Sequence, residues 1–390
     1  MEEAGSELDA AVELRRRLHR RPELGLANPG TQEAVLDALD GLGLEVTTGT
    51  ATTSVVAVMD GDRPGPTLLL RADMDGLPMH EDTGLDDAST VDGAMHACGH
   101  DAHVAMLVGA ARLLHARRGS LAGRVAFAFQ PGEEGHHGAR VMLEEGLLAG
   151  ERAPSAAFAI HITPTLPSGW VATRPGPFMA SADVLRITVR GSGGHASMPH
   201  QALDPIPIAC EIVGAIQAMV TRTVDAFDPA VVTIATIESG TTNNVIPESA
   251  NLTGTIRTVS EHTRSMVLDG LRRLAEGIAG AHGAEATVDI EQGYPVTVND
   301  EDFARFAQEL AGEVVGADKA VRMPTPVMGA EDFSYLLQEV PGAMVFLGAS
   351  PGPGPAAPNH SNRMVLDESA MAAGIALHTA VALRHLAPPG

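Results

Sequence analysis

Residues 124–134, RVAFAFQPGEE, join a short apolar run to a turn that carries two carboxylates. The apolar part is too short for most helices and is bounded by turn residues, which is typical of a fully buried strand. Helical patterns separate three similar runs, which lie at residues 67–70, 156–160 and 343–347. One predicted helix covers residues 102–117 with Asp101 as its N-cap, and another covers residues 367–386. This alternation predicts an α/β fold with a mainly parallel sheet and helices on both faces.

The pattern changes between residues 182 and 293. Strand and helix patterns follow there in the order βαββαβ, at residues 184–189, 205–220, 231–238, 250–257, 261–281 and 286–291. That order matches a ferredoxin-like unit. Because 390 residues exceed the usual size of one domain, we predict two. Residues 1–181 and 294–390 form the domain that carries the chemistry, and residues 182–293 form an inserted lid or dimerisation domain.

Composition narrows the class of protein and of partner. The formal net charge is −23, whereas nucleic acids and anionic membranes bind basic surfaces, so we expect a small-molecule partner and neither of those two. No apolar run is long enough to span a bilayer, and the acidic start is unlike a signal peptide, so we expect a cytoplasmic protein. Two cysteines exclude a disulfide scaffold. Cys210 lies in an apolar helical pattern and is expected to be buried and inert.

Residues 95–103, MHACGHDAH, place one thiol, three imidazoles and a carboxylate at the start of a predicted helix. Cys98 and His100 stand two apart, so in an extended segment their side chains point the same way. The helix N-terminus favours the thiolate form of Cys98. Thiolate and imidazole ligands suit zinc or another first-row divalent ion, so this segment predicts a metal site.

Further polar residues follow the predicted strands. The adjacent carboxylates of Glu133 and Glu134 repel each other, so such a pair is easiest to keep when one binds a cation and the other carries protons. We assign Glu134 to the metal and Glu133 to general base and acid chemistry, although spacing alone does not order them. Four more polar residues come after strands, namely Asp73, Asp75, His161 and His360. The carboxyl ends of parallel strands meet at one crevice, so these segments are expected to converge. Taken singly, each histidine is more often a hydrogen-bonded loop residue and the glutamate pair a solvated loop.

Other motifs are spread along nearly the whole chain. They are RADMDGLP at 71–78, GHASMPH at 194–200, NNVIP at 243–247, GTIR at 254–257, GAEDF at 329–333 and NHS at 359–361. In this order, and together with the segments around Cys98 and Glu133, they resemble the metallopeptidase-type amidohydrolases. That family includes hippurate hydrolase, N-acetyldiaminopimelate deacetylase and the plant auxin-conjugate hydrolases.

The resemblance implies a ligand set for two divalent metal ions per subunit, zinc, manganese, cobalt or nickel, formed by Cys98, His100, Glu134, His161 and His360. It implies that Glu133 is the catalytic carboxylate and that His195, from the inserted domain, stabilises the oxyanion, often across a dimer interface. Asn244 and Arg257 are then substrate-binding residues, with Arg257 gripping the substrate carboxylate. Asp75 is expected to orient a group bound to metal. A homodimer or a higher homo-oligomer follows from the same resemblance.

The chain departs from the family pattern in two places. His136 and His137 stand where the family has small residues after its glutamate pair. They could add a ligand, narrow the acyl pocket or face solvent, and we favour the last of these. After His360, Asn362 replaces the usual proline and Met364 the usual aromatic residue.

The predicted reaction is hydrolysis of the amide bond of an N-acyl amino acid to a carboxylic acid and a free amino acid. A dipeptidase or carboxypeptidase of the same fold is the first alternative, because only the group beyond the scissile carbonyl differs. A non-catalytic metal- or ligand-binding module is the second. A metal-free hydrolase with Cys98 as nucleophile and His100 as base is the third, although residues two apart suit that geometry poorly and the glutamate pair is then unexplained.

Overall fold

The computed structural model describes residues 1–146, 149–150 and 153–388, which divide into two compact units. Unit 1 comprises Met1–Phe178, Val298–Thr325 and Asp332–Gly390, and unit 2 comprises Met179–Thr297 and Pro326–Glu331. The predicted insert, residues 182–293, lies within unit 2. Unit 2 begins earlier because Ser181 donates its backbone N–H to the Thr258 carbonyl at 2.8 Å and Ala182 donates to the Tyr294 carbonyl at 3.0 Å. Its role as a lid or in dimerisation stays a prediction.

Unit 1 is built around an eight-stranded sheet. Its strands are β1 (Glu45–Thr48), β2 (Val55–Asp60), β3 (Arg63–Asp73), β4 (Ala122–Gln130), β5 (Ala156–Thr163), β6 (Val171–Thr173), β15 (Ala320–Arg322) and β16 (Gly342–Gly348), in the spatial order β1-β2-β4-β3-β5-β16-β6-β15. The four central strands β4, β3, β5 and β16 run parallel. The pairs β1–β2, β2–β4 and β6–β16 are antiparallel. A mainly parallel centre is therefore confirmed, and antiparallel strands flank it.

The central strands are apolar because they are buried on both faces. Every residue of β5 is buried, and the largest fully buried side chains of the protein include Phe127 and Phe129 of β4 and Phe158 of β5. A near-continuous apolar run, rather than an alternating one, is the mark of such a strand. The runs that predicted these strands were therefore sound evidence.

The helices of unit 1 are α1 (Glu2–Ser6), α2 (Leu8–His19), α3 (Pro29–Leu39), α4 (His100–Ala116), α5 (Gly138–Glu144), α8 (Glu301–Val315), α9 (Ser334–Glu339) and α10 (Met371–His385). The two predicted helices correspond to α4 and α10, the latter preceded by a 3-10 turn at Glu368–Ala370. The predicted N-cap Asp101 is wrong. Gly99 caps α4, and the carboxylate of Asp101 is instead buried beside Arg15 and His19. No helix within the described residues is both long and apolar enough to cross a membrane.

Unit 2 is a four-stranded antiparallel sheet with two helices packed on it. Its elements are β8 (Asp183–Arg190), α6 (Pro205–Thr223), β10 (Ala230–Ser239), β12 (Ser249–Thr258), α7 (Glu261–Ala281) and β13 (Glu285–Gln292). The spatial order β10-β12-β8-β13 is that of a ferredoxin-like unit, which confirms the prediction. Cys210 is exposed on α6, so its expected burial is wrong; Ile208, Ile212 and Ile216 supply the buried face.

Four short strands complete the fold. In unit 2, β9 (Gly194–His195) pairs with β11 (Val245–Ile246) in antiparallel register. The strands β7 (Gly176–Met179) and β14 (Thr297–Asn299) lie where the chain passes from one unit to the other.

Candidate metal centre

Polar residues gather at the carboxyl ends of three central strands. Strand β3 ends at Asp73, with Asp75 just beyond it, and β4 ends at Gln130, shortly before Glu133. His161 lies near the end of β5, where all residues are buried. Parallel strands deliver their ends to the same edge of a sheet, which is the usual ligand crevice of such folds.

Gly99 shapes the segment that carries Cys98 and His100. Its φ is 85°, in the left-handed region that favours glycine, and a Cβ there would lie 2.5 Å from the Cγ2 atom of Ile162. The segment is therefore a turn rather than the extended strand that the spacing suggested. Cys98 and His100 nevertheless lie in one donor group together with His161.

The structure brings the predicted ligands together. The Sγ atom of Cys98 lies 3.3 Å from His161 Nε2, and His360 Nε2 lies 3.2 Å from Glu134 Oε1. The atoms form two overlapping groups whose members lie within 4.8 Å of one another, Cys98 with His100 and His161, and Cys98 with Glu134 and His360. Cys98 belongs to both groups, so its sulfur is placed between two potential cation positions. We call these five side chains the donor cluster.

The donor cluster contains polar atoms that lack a hydrogen-bond partner among the described residues and that a cation would bind. His100 is fully buried, and neither of its ring nitrogens makes a hydrogen bond to a residue that the structure describes. The nearest carboxylate oxygens, from Asp73, Asp75 and Glu134, stand 3.6, 3.6 and 3.9 Å away. Because an unpaired buried nitrogen costs free energy, this arrangement fits a metal ligand better than a structural histidine.

His161 is held in the tautomer that a metal requires. Its Nδ1–H donates to the carbonyl of Ile162 at 2.8 Å, so Nε2 keeps its lone pair and faces Cys98. Histidines that bind metals commonly donate their other N–H to a carbonyl or carboxylate in this way.

The pKa values of two histidines in the cluster, His100 and His360, indicate that negative groups surround them. Hydrogen bonds to Cys98 and Glu134 raise the pKa of His360 to about 10. Burial opposes protonation of His100, but Asp73 and Cys98 raise its pKa well above the usual value. Burial also raises the pKa of the Cys98 thiol, which a metal-free nucleophile would need lowered. A bound cation would instead favour the thiolate.

Asp75 holds both members of the glutamate pair. Its Oδ1 accepts the backbone N–H of Glu133 at 2.9 Å, and its Oδ2 accepts that of Glu134 at 3.1 Å. Its Oδ1 also lies 3.6 Å from His100 Nδ1. Asp75 is fully buried, and Glu133 is only 6% exposed. The predicted orienting carboxylate therefore contacts the base candidate as well as a ligand.

Sequence reasoning assigned no role to Asn359. Its side-chain amide donates to the Cys98 carbonyl at 3.1 Å and to the Ile162 carbonyl at 3.3 Å, and the backbone N–H of His360 donates to Ala97 at 2.7 Å. His360 has a φ of 66°, which a residue other than glycine rarely adopts. Asn359 thus ties the last ligand to the other segments; in the sequence it is signalled by its place in the NHS motif next to His360.

The remaining predicted residues lie in unit 2. His195 and Asn244 are neighbours, since His195 pairs with Val245 and the backbone N–H of Ala196 donates to the Asn244 carbonyl at 3.1 Å. The Nδ1 atom of His195 lies 2.8 Å from Ser197 Oγ. Arg257 is half-buried on β12, opposite Val231, and is in the other sheet of this unit.

The residues that depart from the family pattern have ordinary surroundings. His136 is exposed, as we favoured, whereas His137 is half-buried with Nδ1 at 2.9 Å from the Tyr335 hydroxyl. Neither belongs to a donor group formed by the described residues. Met364 is buried and Asn362 exposed, so the replacement of the aromatic residue keeps an apolar contact.

Residues 69–384 match peptidase family M20/M25/M40. The chain belongs to this family. It is 41% identical over 381 residues to thermostable carboxypeptidase 2 of Saccharolobus solfataricus, covering 96% of this chain and 95% of that protein. It is 40% identical over 340 residues to N-acetylcysteine deacetylase of Bacillus subtilis, covering 87% and 88%. A dinuclear metal-binding peptidase of family M20 from Bacillus subtilis has the same fold, with a TM-score of 0.85, 35% identity and coverage of 98% and 99%.

Family M20 membership confirms the resemblance found in the sequence. The chain is a metal-dependent hydrolase of amide bonds, and the non-catalytic alternative is set aside. The roles of individual residues, the number of ions and the substrate are proposals. The distances within the donor cluster and to its neighbours support them.

Proposed function

We propose that this M20 enzyme hydrolyses the amide bond of N-acyl amino acids and releases a carboxylic acid and a free amino acid. The observation that carries the proposal is the placement of Glu133, a buried residue whose backbone N–H donates to Asp75 and whose carboxylate lies beside His100 and Glu134 of the donor cluster. Relatives of comparable identity, among them an N-acetylcysteine deacetylase, support the substrate class.

The donor cluster would hold two divalent cations, with zinc, manganese, cobalt and nickel as the candidates. Cys98 would contribute to both positions, His100 and His161 to one, and Glu134 and His360 to the other, following the two donor groups. Bound cations would lower the pKa of water and polarise the amide carbonyl. Soft sulfur together with imidazole suits these metals better than magnesium or calcium.

Glu133 is the proposed proton carrier. It takes a proton from the attacking water and returns it to the departing amine, a role in which one positioned carboxylate serves as base and then as acid. Asp75 positions the Glu133 segment, because its two oxygens accept hydrogen bonds from consecutive backbone N–H groups. Fixing the base in this way limits the reorganisation that the reaction requires.

The residues of unit 2 are proposed to recognise the substrate. His195 would donate to the oxyanion of the tetrahedral intermediate. Asn244 would contact the amide region, and Arg257 would grip the free carboxylate through its two-pronged guanidinium. We also propose a homodimer or higher homo-oligomer located in the cytoplasm.

A carboxypeptidase activity is the second candidate. The specific support is the 41% identity to a protein named thermostable carboxypeptidase 2. A peptide C-terminus offers the same amide and the same carboxylate as an N-acyl amino acid. The two activities differ only in the group on the acyl side.

The test is release of free amino acid from a matched panel. Chelated enzyme receives each metal in turn and is offered N-acetyl, N-benzoyl and N-indoleacetyl amino acids alongside dipeptides and tripeptides. The proposal expects metal-restored cleavage with the highest kcat/KM on N-acyl substrates. Faster cleavage of peptides would establish the carboxypeptidase instead, and no cleavage with any metal would reject both.

A further inference from the structure

A buried arginine lies beneath the donor cluster and is not a ligand. Arg71 of β3 is 1% exposed and follows the apolar residues 68–70. Its Nη1 donates to Asp73 Oδ2 at 2.5 Å, its Nη2 to Asp332 Oδ1 at 2.9 Å, and its Nε to Gln130 Oε1 at 2.9 Å. One rigid guanidinium therefore fixes groups from β3, β4 and the segment after β15.

The first arm of this network leads to the metal ligands. Asp73 Oδ1 accepts Nδ1–H of His103 at 2.5 Å, and His103 Nε2 accepts the backbone N–H of Ile162 at 2.8 Å. Asp73 Oδ2 lies 3.6 Å from His100 Nε2. This arm therefore sets α4, which carries His100, against the β5 residue that follows His161.

The second arm leads to the proposed base. Gln130 Nε2 donates to both oxygens of Asp332, at 2.7 and 2.9 Å, and the backbone N–H of Ala139 donates to Asp332 Oδ2 at 2.9 Å. The backbone N–H of Asp332 points to Glu133 Oε1 at 3.4 Å. Because Gln130 and Ala139 stand on either side of Glu133 in the chain, this arm holds both ends of the loop that carries it.

We propose that Arg71 is a positioning residue that sets the metal ligands and the catalytic carboxylate in one geometry, through Asp73 on one side and through Gln130 and Asp332 on the other. The inference rests on the proposed function, because it takes Glu133 as the proton carrier. A purely structural role is the competing explanation, because removing one partner from a buried ion-pair network destabilises the folded protein.

The two explanations predict different results for a substitution that leaves the buried ion pair intact. Gln130→Met removes a neutral amide and leaves the ion pair between Arg71 and Asp332 in place. A positioning network then loses turnover, because groups that orient metal ligands and bases typically change activity by about 10–100-fold. If the network is only structural, the variant loses melting temperature and keeps its turnover.

Asn299 offers a matched control in the same unit. Its buried amide donates to the Met344 carbonyl at 3.0 Å and accepts the Met344 backbone N–H at 2.8 Å, near the start of β16 and remote from the strand ends that carry the donor cluster. Asn299→Leu therefore removes a buried, fully bonded amide without touching the network. Arg71→Lys is the second test variant, because lysine keeps the positive charge but lacks the planar guanidinium that bonds several partners at once.

The experiment measures kcat and KM on N-acetyl-L-cysteine, metal content per chain, melting temperature and the visible spectrum of the cobalt-loaded protein. We expect Gln130→Met to lose about tenfold or more in kcat with KM within about threefold and metal content unchanged. Asn299→Leu should lose comparable melting temperature and keep kcat within about twofold. Arg71→Lys should lower kcat at least as much and shift the cobalt spectrum, since it disturbs both arms.

The inference is overturned if Gln130→Met keeps its kcat within about threefold of the wild type, or if Asn299→Leu loses as much kcat as Gln130→Met does. Should Arg71→Lys fail to fold, the two amide variants decide the question alone. Glu133→Gln is measured in parallel. If that variant turned over normally, the proposed function and this inference would both fall, whereas a dead Glu133→Gln with an active Gln130→Met removes the inference only.

Discussion

Two clusters of polar side chains among the described residues of unit 1 differ in their internal distances. The first is the donor cluster. The second, which we call the brace, consists of Arg15, His19, Glu81 and Asp101. In the brace, Asp101 Oδ2 lies 2.7 Å from Arg15 Nε and 2.8 Å from His19 Nδ1, and Glu81 Oε1 lies 3.3 Å from His19 Nε2. In the donor cluster, His100 has carboxylate oxygens around it at 3.6 to 3.9 Å and makes no hydrogen bond with any of the described residues.

The difference separates a structural cluster from a site. Opposite charges at bonding distance neutralise one another, so the brace needs nothing further. Donors that other bonds hold apart leave a position that a positive ion would occupy. Buried polar residues alone therefore do not mark a functional site; a buried ring such as that of His100, which faces several potential ligands without bonding to any described residue, is the stronger sign.

The largest effect is expected for the base beside the donor cluster. Glu133→Gln should lower kcat by about 100-fold to 10,000-fold, because general acid and base catalysis contributes that much, while metal content stays the same. Glu81→Gln makes the same chemical change in the brace and should leave kcat within a few-fold of the wild type. Steady-state kinetics and metal analysis of both variants measure the difference. If the Glu81 variant lost as much kcat as the Glu133 variant, the loss would not be specific to the carboxylate beside the donor cluster.

A smaller effect is expected when a donor is removed. Cys98→Ala should weaken binding of zinc by about 10-fold to 100-fold or more, since the sulfur faces both donor groups. Cys210→Ala is the matched control, because this cysteine is exposed on α6. Calorimetric titration of the chelated proteins measures the change. Equal zinc affinity in the two variants would mean that Cys98 is not a ligand.

The smallest effect is expected in the brace and should depend on pH. Burial opposes protonation of His19, but Asp101 and Glu81 raise its pKa to about 9. Because the pKa of His19 is higher in the folded protein, its protonation stabilises the fold. This contribution is complete below about pH 6.5, the pKa of the histidine in the unfolded chain, and is lost as the pH rises through about 9. His19→Gln should lower the melting temperature by several degrees at pH 6.5 and flatten its decline towards pH 9, with kcat nearly unchanged.

His80→Gln provides the control for this pH dependence, because the His80 side chain is 76% exposed. Its melting curve should follow that of the wild type across the range. A His19→Gln variant with the wild-type decline between pH 6.5 and 9 would show that His19 is not protonated in the folded protein.

Much of the fold and of the donor cluster could be predicted from the sequence because their signals are local. Apolar runs such as residues 124–129 predict buried strands, Glu134 stands shortly after that run, and Cys98 and His100 stand at the start of a predicted helix. The ferredoxin-like order of unit 2 follows from six successive patterns. The convergence of the strand ends then follows from the topology of a parallel sheet.

The parts that sequence reasoning missed depend on pairs distant in the chain. Arg71 bonds Asp332, and Asn359 bonds Cys98, each across 261 positions, so no local pattern joins them. Asp101 looked like a helix cap because it stands at the start of α4, but its carboxylate is used by Arg15 and His19. Cys210 looked buried because its neighbours are apolar, and only the packed helix shows which face is exposed.

The central claim is that the donor cluster holds two cations that the reaction requires. The most direct measurement is a titration of chelated protein with zinc or manganese, in which bound metal per chain and release of amino acid from an N-acyl substrate are followed together. The account predicts no turnover without metal, recovery as metal binds, and saturation at two ions per chain. Full turnover of the chelated protein, or tight binding of two ions by a protein in which Cys98, His161 and His360 are all replaced by alanine, would contradict it.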